Sequence, residues 1–282
     1  MGSLIGIRRR IKSAKNIAQI TKAMEMVSAS KMKKAQEAAL ATRPFTDKLK
    51  EIMGKVGSST SAKHPLLTTN DSDSILVVLI STNKGLCGGL NVNLYRGLLD
   101  FVHENQDSTI KIVTVGKKAK WVTPGSTSQL VAKFNDLGET VTFAESRSVA
   151  GYIMQEFKAG KIGKVYLAYP KFISTLQNEI TFTQIRPLQS EDSISSSDYT
   201  IEPSPSALLE SLLPYQIEMT VYQTILESRA TEHSARMVAM KNASDNARDL
   251  IGSLTLDYNQ ARQSAVTSEL LDVTTARMAL VE

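Results

Sequence analysis

The sequence predicts an α/β protein, with long helices at both ends paired as a coiled coil and a three-layer sheet domain between them. Three observations carry this. From Ile7 to Arg43 there is neither proline nor glycine, and from Tyr215 to Glu282 there is no proline and one glycine, Gly252. Proline lacks the N–H a helix interior needs and glycine costs backbone entropy, so such runs belong to helices far longer than the usual length of about 11–12 residues. A helix of roughly 60 residues spans about 90 Å, wider than one compact domain, which predicts a rod or shaft. The third observation is that short apolar strands alternate with helical segments in the middle of the chain.

The first helix carries apolar residues at Ile7, Ile11, Ala14, Ile17, Ile20, Met24 and Val27, the spacing of an interhelical seam. Beyond Val27 the seam turns alanine-rich; Pro44 is expected to interrupt it, and Gly54, Gly57 and Ser58–Ser61 to end it in a linker. Ile75–Ile80 is a continuous apolar run, as in a strand buried on both faces. Gly85–Gly89 makes a turn, Leu90–Val102 a helix, Ile110–Val115 a second strand, and Lys117–Trp121 a short helix. A weaker strand is expected near Gln129–Phe134, a helix over Ser146–Lys158, a strand over Lys164–Tyr169 and an edge strand over Glu179–Leu188. This alternation predicts a mostly parallel, Rossmann-like sheet. Ser190–Pro205 reads as a surface loop, and the last helix begins near Ser206. Its heptad-like register runs Met240, Ala243, Ala247, Leu250, Leu254, Asp257, Ala261, Ser264, Ser268, Leu271, Thr275 and Met278. These occupants are small or polar, so the pair should be slim and weakly self-stabilised, burying little area. Val238, Ile251, Leu256, Val266, Leu270, Val273 and Leu280 fall off that register, which calls for a sleeve of other protein. The segments are 1–57, 70–190 and 206–282.

Composition narrows the function. No stretch approaches 18 consecutive apolar residues, so no membrane-spanning helix is expected. One cysteine, Cys87, allows no internal disulfide and fits a reducing compartment. Arg8, Arg9 and Arg10 precede no apolar signal core, and the pattern runs on into the long helix as mature structure would. The net charge is only +5, yet residues 1–50 hold 12 Lys/Arg against 3 Asp/Glu. A basic helix suits nucleic acid, a membrane surface or an acidic protein, or is simply a solvated face.

Chemistry finds little support. Ser81–Asn91 follows a strand and opens a helix, where phosphate loops sit, but Lys84 precedes the glycines instead of following them and the spacing is not G-x-G-x-x-G. A tight strand-to-helix turn is the better reading. Cys87 has no assignable base; His64, His103 and His233 lie in a linker and on two separate helices, with no metal spacing or triad. Trp121 reads as packing. The basic helix lacks the aromatic interleaving of single-strand nucleic-acid binders.

Three separated motifs resemble one family. Ile7–Val27 contains Ile20-Thr21-Lys22-Ala23-Met24-Glu25-Met26-Val27, followed by Ser28-Ala29-Ser30-Lys31-Met32. The turn is Gly85-Leu86-Cys87-Gly88-Gly89-Leu90-Asn91, and the C-terminal run is Tyr258-Asn259-Gln260-Ala261-Arg262-Gln263-Ser264-Ala265-Val266-Thr267-Ser268-Glu269-Leu270. Across the whole chain these resemble the gamma subunit of the F-type ATP synthase, its central rotor shaft.

The resemblance implies an antiparallel coiled coil of the two terminal helices inside a hexamer of alternating alpha and beta subunits. It implies an α/β domain that meets the epsilon subunit (delta in mitochondria) and the c-ring. It places Met24 opposite a beta-subunit lever loop with an acidic motif, and Arg262 and Gln263 against a beta-subunit catch loop. Charge and resemblance together make Lys31, Lys33 and Lys34 partners of acidic beta residues, and Tyr199–Pro203, with Tyr199 and Glu202, resembles the foot on the c-ring. The implied role is non-catalytic, with no cofactor, metal, nucleic acid or membrane span. A lone Cys87 departs from chloroplast members, which carry a regulatory cysteine pair. The expected location is the cytoplasmic face of a bacterial inner membrane, with the matrix side of the mitochondrial inner membrane as the alternative. A nucleotide-binding enzyme on the α/β domain and a DNA-binding coiled-coil protein are the competing classes.

Overall fold

A computed structural model describes residues 4–59, 66, 70, 72–121, 128–187 and 204–279, without side chains for 50, 54–59, 120, 121, 205, 206 and 279. By its contacts the chain forms two units, residues 28–236 and residues 1–27 with 237–282. The elements are α1 (Leu4–Ser59), β1 (Ile75–Ile80), α2 (Leu90–Glu104), β2 (Ile110–Val115), a 3-10 turn (Lys117–Trp121), β3 (Ser128–Phe134), α3 (Phe143–Lys158), β4 (Lys164–Phe172), β5 (Asn178–Arg186) and α4 (Pro205–Ala279).

In the larger unit the five strands lie in the order β3-β2-β1-β4-β5; the pairings among the first four are parallel, and β5 pairs antiparallel to β4. β1 is central, which is why all six of its residues are apolar and buried. Strand alternation splits it between two cores. Ile75, Val77 and Leu79 face one side with Leu94 and Leu98 of α2 and Ile110 and Ile112 of β2. Leu76, Val78 and Ile80 face the other, with Val149, Ile153 and Phe157 of α3 and Leu209, Leu213, Ile217, Val221 and Ile225 of α4. The i, i+4 spacing of those α4 residues makes one apolar stripe. The result is the three-layer arrangement expected.

Some boundaries move for local reasons. α3 starts at Phe143, not Ser146, because Thr142 accepts the Glu145 N–H while Glu145 accepts the Thr142 N–H, a complete capping box. α1 runs past Gly57 to Ser59 and is not interrupted at Pro44. Around that proline the Thr42 hydroxyl donates to the Ala38 and Ala39 carbonyls at 3.2 Å, and Gln223 of α4 donates to the Ala39 carbonyl at 3.1 Å. α4 likewise continues through Pro214. Residues 60–65, most of the Ser190–Pro205 loop, His64, the Trp121 side chain, Tyr199 and Glu202 lie outside the described residues.

In the smaller unit the two helices run antiparallel. The Ser244 hydroxyl reaches the Ala18 carbonyl at 3.5 Å, and Arg9, Arg10 and Ala14 share a groove with Ala247, Leu250 and Leu254. The seam differs from the expected one. On α1, Ala14 and Thr21 are buried, whereas Ile17 and Ile20 are 52% and 59% exposed and Val27 is 54% exposed. On α4, Met240, Ser244, Ala247 and Leu254 are buried, while Leu250, Leu256, Asp257, Ser264, Ser268, Leu271, Thr275 and Met278 are exposed. The apolar positions 14, 17 and 20 step by three and drift around the helix; 14, 18 and 21 alternate four and three and stay on the seam. Small residues there let the backbones approach closely, and branched isoleucines are turned outward. From Arg262 to Met278 every residue is exposed, so no other described residue covers that end of α4.

Two glycines are required by contact. Gly116 has φ +96° and a Cβ there would lie 2.5 Å from the Ser81 carbonyl oxygen. At Gly163 it would lie 2.0 Å from the Ser72 carbonyl oxygen. Gly160 also has a positive φ, +70°, but open space around it. Gly116→Ala is expected to cost roughly 2–4 kcal/mol in urea unfolding, against about 1 kcal/mol for Gly160→Ala, which carries the backbone term alone.

Candidate functional site

The features that gather side chains of chemical interest lie where α4 passes the turn after β1. Glu232 is buried between Arg229 at 2.8 Å and Arg236 at 2.7 Å. Burial pushes the Glu232 carboxyl up, but the two guanidinium groups outweigh it and hold the group below its ordinary value. Arg236 also donates from Nε to the Gly85 carbonyl and from Nη2 to the Lys84 carbonyl, both at 3.1 Å. The Asn83 N–H donates to Glu232 Oε2 at 3.4 Å. The glycine-rich turn therefore aims carbonyls at a buried cation, and one of its N–H donors already meets a carboxylate. That is the wrong polarity for a phosphate cradle.

The turn is stiff in a second way. Leu86 has φ +60° and is 63% exposed, a left-handed conformation that costs a branched residue roughly 1–2 kcal/mol. Cys87 is buried beneath it; burial raises its thiol and Arg236 only partly offsets this. Asn91 donates to Cys87 Sγ at 3.4 Å and to Thr82 Oγ1 at 2.8 Å. A buried thiol of raised pKa is a poor nucleophile. His233 is buried and its pKa is lowered, first by desolvation, against the pull of Glu232. His103 lies elsewhere, at the end of α2. Among the described residues there is no group of three or more His, Cys, Asp or Glu able to hold a metal.

On the outer side of the turn, Glu139 in the β3–α3 connection accepts from Lys31 Nζ at 2.8 Å and from Lys84 Nζ at 3.0 Å. Asn83 fixes this connection to the turn by donating to the Leu137 carbonyl at 2.9 Å. The hydrogen bonds from Lys31 and Lys84 draw the Glu139 carboxyl from its ordinary 4.5 down to about 2. The structure thus puts one residue singled out from the sequence, Lys31, beside the turn. Lys33 is exposed and 3.9 Å from Glu37, and Lys34 is exposed. Met24 is half-buried on α1, and Arg262 and Gln263 are exposed on the uncovered end of α4.

Sequence reasoning missed Glu139, the Arg229–Glu232–Arg236 cluster and Arg186. The i, i+3 and i, i+4 spacing of 229, 232 and 236 was a visible signal for ion pairing, though not for burial. Arg186 is buried, donates to Gln216 Oε1 at 3.1 Å and is pulled down to about 10 by desolvation. Nothing in the local sequence marks it as buried.

Comparison with known proteins follows this geometry. The ATP synthase family profile matches residues 3–280. The chain is 42% identical to the ATP synthase gamma chain of Dehalococcoides mccartyi strain BAV1, over 99% of this chain and 100% of that one. It is 39% identical to the ATP synthase gamma chain of Akkermansia muciniphila, again over 99% and 100%. Among solved structures, a chain of the Euglena gracilis mitochondrial ATP synthase (OSCP/F1/c-ring) aligns with TM-score 0.70 at 21% identity, covering 99% of this chain and 95% of that one. A chain of the Tetrahymena thermophila mitochondrial ATP synthase central stalk and c-ring aligns with TM-score 0.60 at 25% identity, over 80% and 99%.

Two outcomes follow from the charges. Arg236→Ala leaves Glu232 short of a partner and the turn carbonyls without a donor, and is expected to lower stability by about 3–5 kcal/mol in denaturant unfolding. Because the Glu139 pKa is depressed in the folded state, the stability it contributes is present above its unfolded value near 4.5 and is lost as pH falls toward 2. Carboxyl NMR titration should show Glu139 still ionised at pH 3.5, and Lys31→Gln should move its midpoint upward.

Proposed function

The chain belongs to the ATP synthase gamma-chain family, and from that premise we propose that it is the central-stalk rotor shaft of the F-type ATP synthase. Its two terminal helices turn within a hexamer of alpha and beta subunits and couple proton flow through a c-ring to ATP synthesis or hydrolysis on the beta subunits. The shaft itself is a non-catalytic subunit. The working parts are the helices of 1–57 and 206–282 and the α/β region of 70–190, which meets the epsilon subunit and the c-ring.

One observation carries this reading beyond likeness. The paired helices place Ala14, Ala18, Thr21, Ser244 and Ala247 on their seam and leave Ile17, Ile20, Val27, Leu250, Leu256, Val266, Leu270, Leu271, Val273 and Met278 exposed. A helix end rich in exposed leucine and valine calls for an apolar surround. A hexamer enclosing the shaft is such a surround. A thin seam keeps the shaft narrow, and the apolar side chains on its outer surface add contacts that fix no single position through polar bonds.

In mechanism, the surrounding sites become unequal only by the difference in contact free energy between orientations. We assign that difference to one-sided contacts by Met24 with an acidic beta loop, by Arg262 and Gln263 with a second beta loop, and by Lys31, Lys33 and Lys34 with beta carboxylates. Tyr199 and Glu202 are assigned to the c-ring contact. Among the described residues no helix is long and apolar enough to cross a membrane, in keeping with a peripheral subunit. With relatives from bacteria, the cytoplasmic face of a bacterial inner membrane is its proposed site. The reversed polarity of the Gly85–Gly89 turn disfavours the nucleotide-binding alternative.

Co-purification with alpha and beta subunits tests the reading: a tagged chain should recover both in a stable complex that hydrolyses ATP, and recovery of neither would reject it. In that complex Met24→Lys is expected to impair proton pumping per ATP more than assembly, because a lysine there can form a long-lived pair with a beta carboxylate.

A further inference from the structure

We propose that Glu139 is an internal placeholder for a partner carboxylate, holding Lys31 and Lys84 ready to be handed to an acidic loop of an enclosing subunit and receiving them back when that loop departs. The proposal rests on the rotor reading and adds a regulating residue on the shaft's own side of the contact.

Three separate elements meet at this carboxylate. Lys31 comes from α1, Lys84 from the turn after β1, and Glu139 from the connection between β3 and α3, with separations of 2.8 and 3.0 Å. None is buried: the side chains of Lys31 and Glu139 are each 39% exposed and that of Lys84 is 63% exposed. An incoming group can therefore reach the same ammonium groups. The surroundings favour an anion. Arg229 and Arg236 both pair with the one carboxylate of Glu232, and Lys118 lies beside Gly85, its Nζ 3.9 Å from where a Cβ would stand. Among the described residues, four cations are thus ion-paired to two carboxylates around the turn, and Lys118 adds a fifth positive charge beside it.

Exchange is cheap by construction. Each exposed pair is weak and screened by salt, and replacing one carboxylate by another conserves the number of ion pairs. The lysines are held in place beforehand, so the partner does not have to order them. When the partner leaves, Glu139 returns and no bare cations remain to retain it. The Asn83 bond to the Leu137 carbonyl keeps the placeholder close, while Glu139 itself lies outside any helix or strand. Without Glu139 the two lysines would hold a partner carboxylate longer.

The test uses the assembled complex with alpha and beta subunits. Glu139→Gln should slow ATP hydrolysis about two- to fivefold at about 50 mM salt, and the deficit should vanish near 0.5 M salt. Lys31→Gln with Lys84→Gln should abolish the effect, so that adding Glu139→Gln to that pair changes nothing further. Glu139→Asp, which keeps the charge, should stay closer to the unmodified rate than Glu139→Gln. Equal rates for Glu139→Gln and the unmodified complex at low salt would overturn the proposal. So would a deficit that persists in high salt or without the lysines, since that marks a merely structural role. Failure of the unmodified chain to assemble would instead remove the rotor reading, and this proposal with it.

Discussion

The buried charge cluster on α4 is what the functional end of the sheet depends on. Taking Glu232, Arg229 and Arg236 out of water is expensive, and the expense is offset because each charge is paired and the spare donors of Arg236 find backbone carbonyls. Those carbonyls belong to the turn after β1, the central strand. Through Asn83 the turn then sets the β3–α3 connection, and with it Glu139 and its two lysines. An apolar cluster would pack α4 as tightly, but it would not dictate which carbonyls the helix must meet. The charges convert a greasy contact into a registered one.

The seam obeys the opposite logic. Where the cluster spends polarity to fix a position, the helix pair spends little apolar area on itself: besides Met240 and Leu254, alanine, serine and threonine line the inside, and most of the isoleucine, leucine and valine is left outside. In an ordinary coiled coil that distribution would be inverted. It makes sense when the larger share of burial is to come from another chain. The helix pair is then the inner layer of a core whose outer layer belongs to its neighbours.

What the sequence disclosed follows from range. The strands, α2 and the two long helices were legible because their signals are local: a six-residue apolar run, a helix-period stripe, the absence of proline and glycine over tens of residues. The start of α3 was legible too, in Thr142 and Glu145, though it takes the capping box to see it. The seam register was misread because large apolar residues were assumed to face inward, and on α1 Ile17 and Ile20 face outward. Pro44 can interrupt a helix, and Gln223, 179 positions away in sequence, helps to hold this one. Glu139 and the bonds of Arg236 to the turn carbonyls were invisible for the same reason: each matters for a residue that only tertiary folding brings near. The proposed contact residues Met24, Arg262 and Gln263 came from resemblance, and Lys31 from charge as much as resemblance, since no pattern within one chain reveals a surface defined by its partners.

The uncovered end of α4, exposed from Arg262 to Met278, has a consequence for the life of the chain before assembly. A newly made copy displays Val266, Leu270, Leu271, Val273 and Met278 on a helix end that no other described residue covers. Such a surface invites self-association, chaperone capture and proteolysis. Once enclosed, the same side chains become unreachable. On the rotor reading, a copy that joins its complex is sheltered, while a surplus copy keeps those side chains in solvent on its own tip.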